Sequence, residues 1–281
     1  GTGKKMNVTY GTMTSIVKPM ELRSMVSDYA TYMRLINEGF TNTGGVRQFT
    51  DAEIDRWEQA KLNPAGLNSL GIPNYVSSPN TDWVKELYKD NVVTDHNLSI
   101  NGSTEKTRYL LSGQYLNNAG VVENTGVKRF NYRINLEADA TDWLTVGARL
   151  FNETRKLGTS DFSNASFYLG ATSPGLYPYY NGKYGGSELT QDRSNNVLTA
   201  LKQEIGSRTF TLVNSAFYAK AKLLPGLSLD INYNYIKKYN EGNSYTNPDR
   251  RQQTRFSDGT VSTPAGASVG NENLYTGFFN N

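Results

Sequence analysis

The chain has 281 residues, of which 29 are basic and 26 acidic, giving a net charge of +3; 37% are hydrophobic. Charges this balanced, with no basic run interleaved with stacking aromatics, argue against nucleic acid as a partner. There is no cysteine, which excludes disulfides and thiolate metal sites, and no window reaches the about 20 apolar residues of a helical membrane span.

The first strand is predicted over Met6–Val17, where Val8, Tyr10, Thr12, Thr14 and Ile16 share a face. Residues 18–92 then change to a helical period. Leu22, Met25, Val26, Tyr29, Tyr32, Met33 and Ile36 recur at steps of three and four, predicting an amphipathic helix over Glu21–Glu38. Thr50 followed by Glu53 reads as a capping box opening a helix through Ala60, and a third helix is predicted over Asp82–Tyr88. The stretch holding Pro64, Pro73 and Pro79 reads as loop. Connections this long are uncommon unless functional, so an ordered cap or lid is expected.

Alternation returns in Val93–Ser103, Thr107–Leu116, Lys128–Ala138 and Trp143–Arg155. It is clearest in Arg129–Ala138, where Phe130, Tyr132, Ile134, Leu136 and Ala138 oppose Arg129, Asn131, Arg133, Asn135 and Glu137. Arg208–Leu223 and Leu227–Lys237 follow, joined through Pro225–Gly226, and a last strand is predicted near Asn273–Phe279.

The connections alternate in length. Residues 18–92 are followed by the turn Thr104–Lys106, the moderate Asn117–Val127 by Thr141–Asp142, and the long Lys156–Ser207 by Leu224–Gly226. Short turns at one end of the strands and long loops at the other are the pattern of an outer-membrane barrel. The 19 Tyr and 26 Gly residues suit one as well, although a soluble β-rich protein with many loops accounts for the composition almost as well. The chain starts without Met, carries no signal peptide and ends within an apparent strand, so a fragment is expected. The predicted class is all-β: a partial antiparallel transmembrane β-barrel of about eight strands, with helical insertions in a long first extracellular loop. An open edge in hydrocarbon costs several kcal/mol per unpaired group, so these strands read as part of a larger wall.

No catalytic constellation emerges, and no cofactor is expected. His96 is the only histidine and reads as a strand-face residue. Asp51, Glu53 and Asp55 read as first-turn carboxylates favoured by the helix dipole rather than as metal ligands. The loop Asp161–Gly186 differs in kind, holding Phe162, Phe167, Tyr168, Tyr177, Tyr179, Tyr180 and Tyr184. Such rings stack on sugars or grip a peptide, or else pack on one another, on a plug or on a partner protein. Arg129, Arg133, Glu137 and Arg149 are expected to face inward, toward a solute path or a plug.

Several runs resemble the SusC/RagA family of TonB-dependent outer-membrane transporters. They are Asn80–Trp83 with its Asp82–Trp83 pair, and the stretch from His96 to Val122 with Asn97, Ser99, Gly102, Thr104, Glu105, Lys106, Tyr109, Ser112, Tyr115 and Gly120. The following strands through Leu150 and the Leu223–Tyr235 hairpin resemble the next barrel strands, and residues 1–11 resemble the exit from a plug domain. One departure is Asn101–Gly102, where the family often has two glycines. The resemblance implies that residues 1–281 are the N-terminal part of a barrel of roughly 22 strands. It implies an upstream plug, a TonB complex, outer-membrane lipid and a SusD-like surface lipoprotein as partners, and an oligosaccharide or peptide as ligand. It also implies transport without bond chemistry. Two rival readings are a soluble β-sandwich carbohydrate-binding module and a passive porin.

Overall fold

The computed structural model describes residues 6–20, 22–192, 194–246, 252–262 and 272–280. Eight strands form one antiparallel sheet: β1 (Asn7–Val17), β2 (Asn91–Ser103), β3 (Thr107–Asn118), β4 (Val127–Asp139), β5 (Leu144–Ser160), β8 (Glu204–Leu224), β9 (Leu227–Thr246) and β12 (Glu272–Asn280). Each pairs with the next of these eight, so the wall is a meander with β1 and β12 at its edges. It is one continuous sheet, and among the described residues no second sheet of comparable size packs on it, as a sandwich would require.

Register carries the two-residue alternation across the wall. Ile134 lies opposite Leu111 and Leu150, and Leu136 lies opposite Tyr109 and Ala148. One face therefore gathers Val8, Leu98, Leu111, Phe130, Leu136, Val146, Phe217, Ile231 and Tyr233, and it is open. Ile16 is 67% exposed, Phe130 48% and Ile231 57%. So extended a bare apolar face marks a surface that meets another apolar phase. The opposite face carries Arg108, Arg133, Glu137, Arg149 and Lys220.

The short turns have local causes. Thr104 Oγ1 accepts the Lys106 and Thr107 amides at 3.3 and 3.0 Å, and Thr141 Oγ1 accepts those of Trp143 and Leu144 at 3.4 and 3.0 Å. Gly226 holds φ at +84°, which the tight β8–β9 turn requires. Gly102 makes room for the Tyr109 ring, since a Cβ there would sit 2.4 Å from the hydroxyl.

At the other end the long connections fold into a cap. It contains α1 (Tyr29–Asn42), α2 (Asp51–Leu62), α3 (Asn74–Ser77), α4 (Trp83–Leu87), α5 (Phe162–Ala171) and α6 (Val197–Gln203). A small sheet of β6 (Tyr179–Tyr180), β7 (Lys183–Gly185), β10 (Gln253–Thr254) and β11 (Val261–Ser262) joins them. Two cores hold the cap. One joins Tyr29, Met33, Phe49, Ile54 and Trp57 to Leu189, and the other joins Trp83 and Leu87 to Val122, Ala165, Leu176, Val197 and Leu201.

Four expectations need correction. The first helix begins at Tyr29 rather than Glu21, because Asp28 caps it by accepting the Thr31 amide at 2.8 Å. A short helix, α3, lies within the proline-rich stretch read as loop. The stretch 161–186 is not a plain loop: Asp161 caps α5, and β6 and β7 form a hairpin. The strands β5, β8 and β9 have 17, 21 and 20 residues, longer than predicted. A barrel strand crosses with about 9–11 residues. On the apolar face the surplus of β5 is Asn152, Thr154, Lys156, Gly158 and Ser160, so the wall continues beyond the apolar band as a polar support for the cap.

Candidate functional site: a cap over a polar wall

The Asn80–Trp83 run fastens the first long connection to the third. Asn80 Oδ1 accepts the Tyr29 amide at 2.8 Å, and Thr81 Oγ1 donates to the Leu176 carbonyl at 2.6 Å. Asp82 caps α4, and the buried Trp83 indole donates to the Ser173 carbonyl at 2.7 Å. A few residues earlier, the Pro79 carbonyl accepts from Trp57 Nε1 at 2.9 Å. Each bond satisfies a group that burial would otherwise leave unpaired.

Buried polar side chains make the other ties. The Tyr29 hydroxyl donates to Asp192 at 2.7 Å, and Ser173 donates to the same carboxylate. Burial, reinforced by the Asp192 charge, pushes the Tyr29 hydroxyl far above the ordinary tyrosine range, so it stays a donor. Asn196, fully buried, donates toward the carbonyls of Tyr177, Pro178 and Gly185 at 3.1, 2.9 and 3.0 Å. Glu188 accepts the Phe256 and Ser257 amides at 2.7 and 2.9 Å, linking the third long connection to the fourth. Burial pushes its carboxyl up to about 7, against the downward pull of those bonds.

Between α2, α3 and α4 on one side and the Tyr177–Tyr179 segment on the other opens a cleft of about 480 Å³. Tyr75 meets Tyr177 edge-to-face at 5.8 Å, Tyr179 is 51% exposed, and Lys61, Asn80 and Glu86 supply polar groups. Apolar ring faces beside a few hydrogen-bonding groups are the ordinary make-up of a pocket for an organic ligand.

The seven aromatics singled out in the sequence are divided by the fold. Tyr177 and Tyr179 line this cleft. Tyr180 packs edge-on against Phe256 at 5.8 Å, and Tyr184 lies 4.9 Å from Tyr179. Phe162 stands against Tyr88, Tyr168 packs on the core around Trp83, and Phe167 projects from α5. Tyr75 and Lys61 were not anticipated. Tyr75 meets a ring 102 residues further on, and Lys61 pairs with Asp28 and Glu58, so neither carries a local signal of the cleft.

Arg129, Arg133, Glu137 and Arg149 all lie on the polar face. Arg133 sits 5.6 Å over the Phe151 ring and Arg149 4.8 Å over that of Tyr218. Glu137 accepts from Arg108 at 2.7 Å and from the Tyr218 hydroxyl at 2.6 Å, while Arg108 also holds Asp139 at 3.0 Å. Gly147 admits the Tyr218 ring, since a Cβ there would lie 2.2 Å from it. Arg129 Nε is buried with no acceptor among the described residues. Of the remaining candidates, the Tyr10 hydroxyl lies 2.8 Å from His96 Nδ1 on the apolar face. Asp51 pairs with Arg47, Glu53 completes the capping box of α2, and Asp55 is exposed.

No family model matches the chain. It is 27% identical over 211 residues to TonB-dependent receptor P3 of Formosa agariphila, covering 71% of this chain and 20% of that protein. It is 34% identical over 65 residues to TonB-dependent receptor SusC of Bacteroides thetaiotaomicron, covering 23% of this chain and 6% of SusC. In fold it matches the RagAB peptide transporter with a TM-score of 0.61 at 16% identity, over 88% of this chain and 30% of that one. The chain thus spans at most about a fifth of the curated relatives' length. Motifs, sequence similarity and fold agree: the chain resembles the TonB-dependent receptors of the SusC/RagA kind, and its sheet matches a run of barrel strands in a transporter of that fold.

Proposed function

We propose that the chain is part of an outer-membrane, TonB-dependent importer that takes up a glycan or oligopeptide without chemical conversion. One observation carries the reading. The long connections gather at one end of a wall with an outward apolar face, and there they fold into a single cap with its own cores. That is the form of a guarded mouth. In this reading the apolar face meets outer-membrane lipid, and a SusD-like lipoprotein closes over the cap. A plug belonging to the same receptor fills the lumen and is displaced through the TonB complex. Arg129, Arg133, Glu137 and Arg149 face that plug, and the unmatched Arg129 Nε supports a contact there. The RagAB peptide transporter, whose fold the chain shares, lends support to the oligopeptide class.

The ligand is held in the cleft of Tyr75, Tyr177 and Tyr179. Cells making the full receptor and its lipoprotein are given fluorescent oligopeptides or oligosaccharides, with and without a protonophore. Uptake of one class, abolished by the protonophore, is expected. Replacing Tyr75 and Tyr177 together by Ala lowers uptake at limiting ligand about tenfold or more, since aromatic contacts of this kind contribute about 1 kcal/mol each. Protonophore-independent uptake would indicate a passive pore instead, and unchanged uptake by the double variant would remove the cleft from the account.

A further inference from the structure

At the cap end of the apolar band, the outward face changes abruptly from aromatic to cationic. On β4, Phe130 is followed two positions toward the cap by Lys128, on the same face. Lys128 lies directly opposite Lys156 of β5. Both are exposed, and neither makes an ion pair among the described residues. Their outward neighbours in the row are neutral, Asn117 on β3 and Thr209 on β8. The nearest outward carboxylate in the row, Glu241, stands two strands from Lys156, roughly 10 Å away by strand spacing.

Two like charges directly across a ladder, with Cβ atoms about 5 Å apart, repel and destabilise the sheet. On the inner face Arg108 instead lies opposite Glu137, and the like pair Arg129 and Arg155 is relieved by Gln114, which accepts from Arg129, and by the Phe210 ring beneath Arg155. A pair left uncompensated at this level calls for an anion from outside the chain. One step toward the apolar band lie Phe130 and Tyr115, opposite one another, rings suited to the zone between headgroups and acyl chains.

We propose that Lys128 and Lys156 bind the phosphate of an outer-leaflet lipid headgroup, whose acyl chains run down the wall over Phe130, Tyr115 and Tyr132. The site rests on the reading that the apolar face meets membrane lipid. Lysine ammonium groups bind phosphate as point charges, and each basic side chain at a membrane surface adds measurably to anionic lipid affinity.

The full-length receptor in non-ionic detergent is titrated with diphosphorylated lipid A, with its dephosphorylated form and with inorganic phosphate. Diphosphorylated lipid A binds tightest. Replacing one lysine by Gln weakens it about 5-fold and replacing both about 30-fold, while the Lys128→Arg/Lys156→Arg variant retains binding. Equal binding of the dephosphorylated form, or no loss in the double Gln variant, overturns the proposal. Inorganic phosphate that competes as well as the lipid does so too, marking a free-anion site. Heat-modifiable gel migration reports barrel closure separately. Its absence in the wild-type receptor would instead sink the membrane reading on which the site rests.

Discussion

Glu188 is an acid buried to 3% exposure that accepts two backbone amides and joins two connections. Its carboxyl titrates near 7 in the folded cap rather than near 4.5, so the folded state holds its proton over that interval. The stabilisation linked to this proton is complete below about pH 4.5 and is lost as pH rises through about 7, with an upper bound of about 3 kcal/mol. The amides of Phe256 and Ser257 are therefore expected to lose hydrogen-exchange protection between pH 5 and 7.5, after correction for intrinsic rates. Glu188→Gln flattens that dependence. Protection that rises over the same interval would mean that the ionised carboxylate is the better tie. Nothing near Glu188 in the chain announces this role, because its partners lie 68 and 69 residues further on.

Elements were legible in the sequence where one local rule decides them. The two-residue alternation of Arg129–Ala138 belongs to β4 itself, and each of the eight strands forms close to its predicted place. Thr50 and Glu53 make the capping box that their spacing announces. Elements decided by tertiary packing were not legible. The helix α5 reads as aromatic loop because its burial depends on α6, and the start of α1 turns on one cap residue, Asp28. The same distinction sets the fragility of the cap. Trp57 is fully buried between Tyr29, which it meets edge-on at 4.9 Å, and the Pro79 carbonyl. Trp57→Ala leaves a large void and costs about 3–5 kcal/mol locally. Limited proteolysis of the full receptor is expected to cut this variant within residues 18–90 well before the wild type, while the barrel stays heat-modifiable. Equal resistance would show that α1 and α2 are held by something other than that core.

At the scale of the molecule, the wall and the cap divide the work by solvent. The wall keeps its core-like side chains on the outside and its ion pairs on the inside, the reverse of a soluble sheet with one buried face. The cap buries its cores among its own connections and leaves a cleft between them. The importer, the lipid contact and the sidedness of the cap all depend on the outward apolar face. The chain contains no cysteine, so single cysteines can be placed along it without a background from its own residues. The most direct measurement places one at each position from Arg129 to Ala138 of the full receptor in membranes and labels it with a lipid-soluble or a water-soluble thiol reagent. Period-two labelling is expected, with 130, 132, 134 and 136 reached from lipid and 131, 133 and 135 only from water. Uniform labelling by the water-soluble reagent would contradict it.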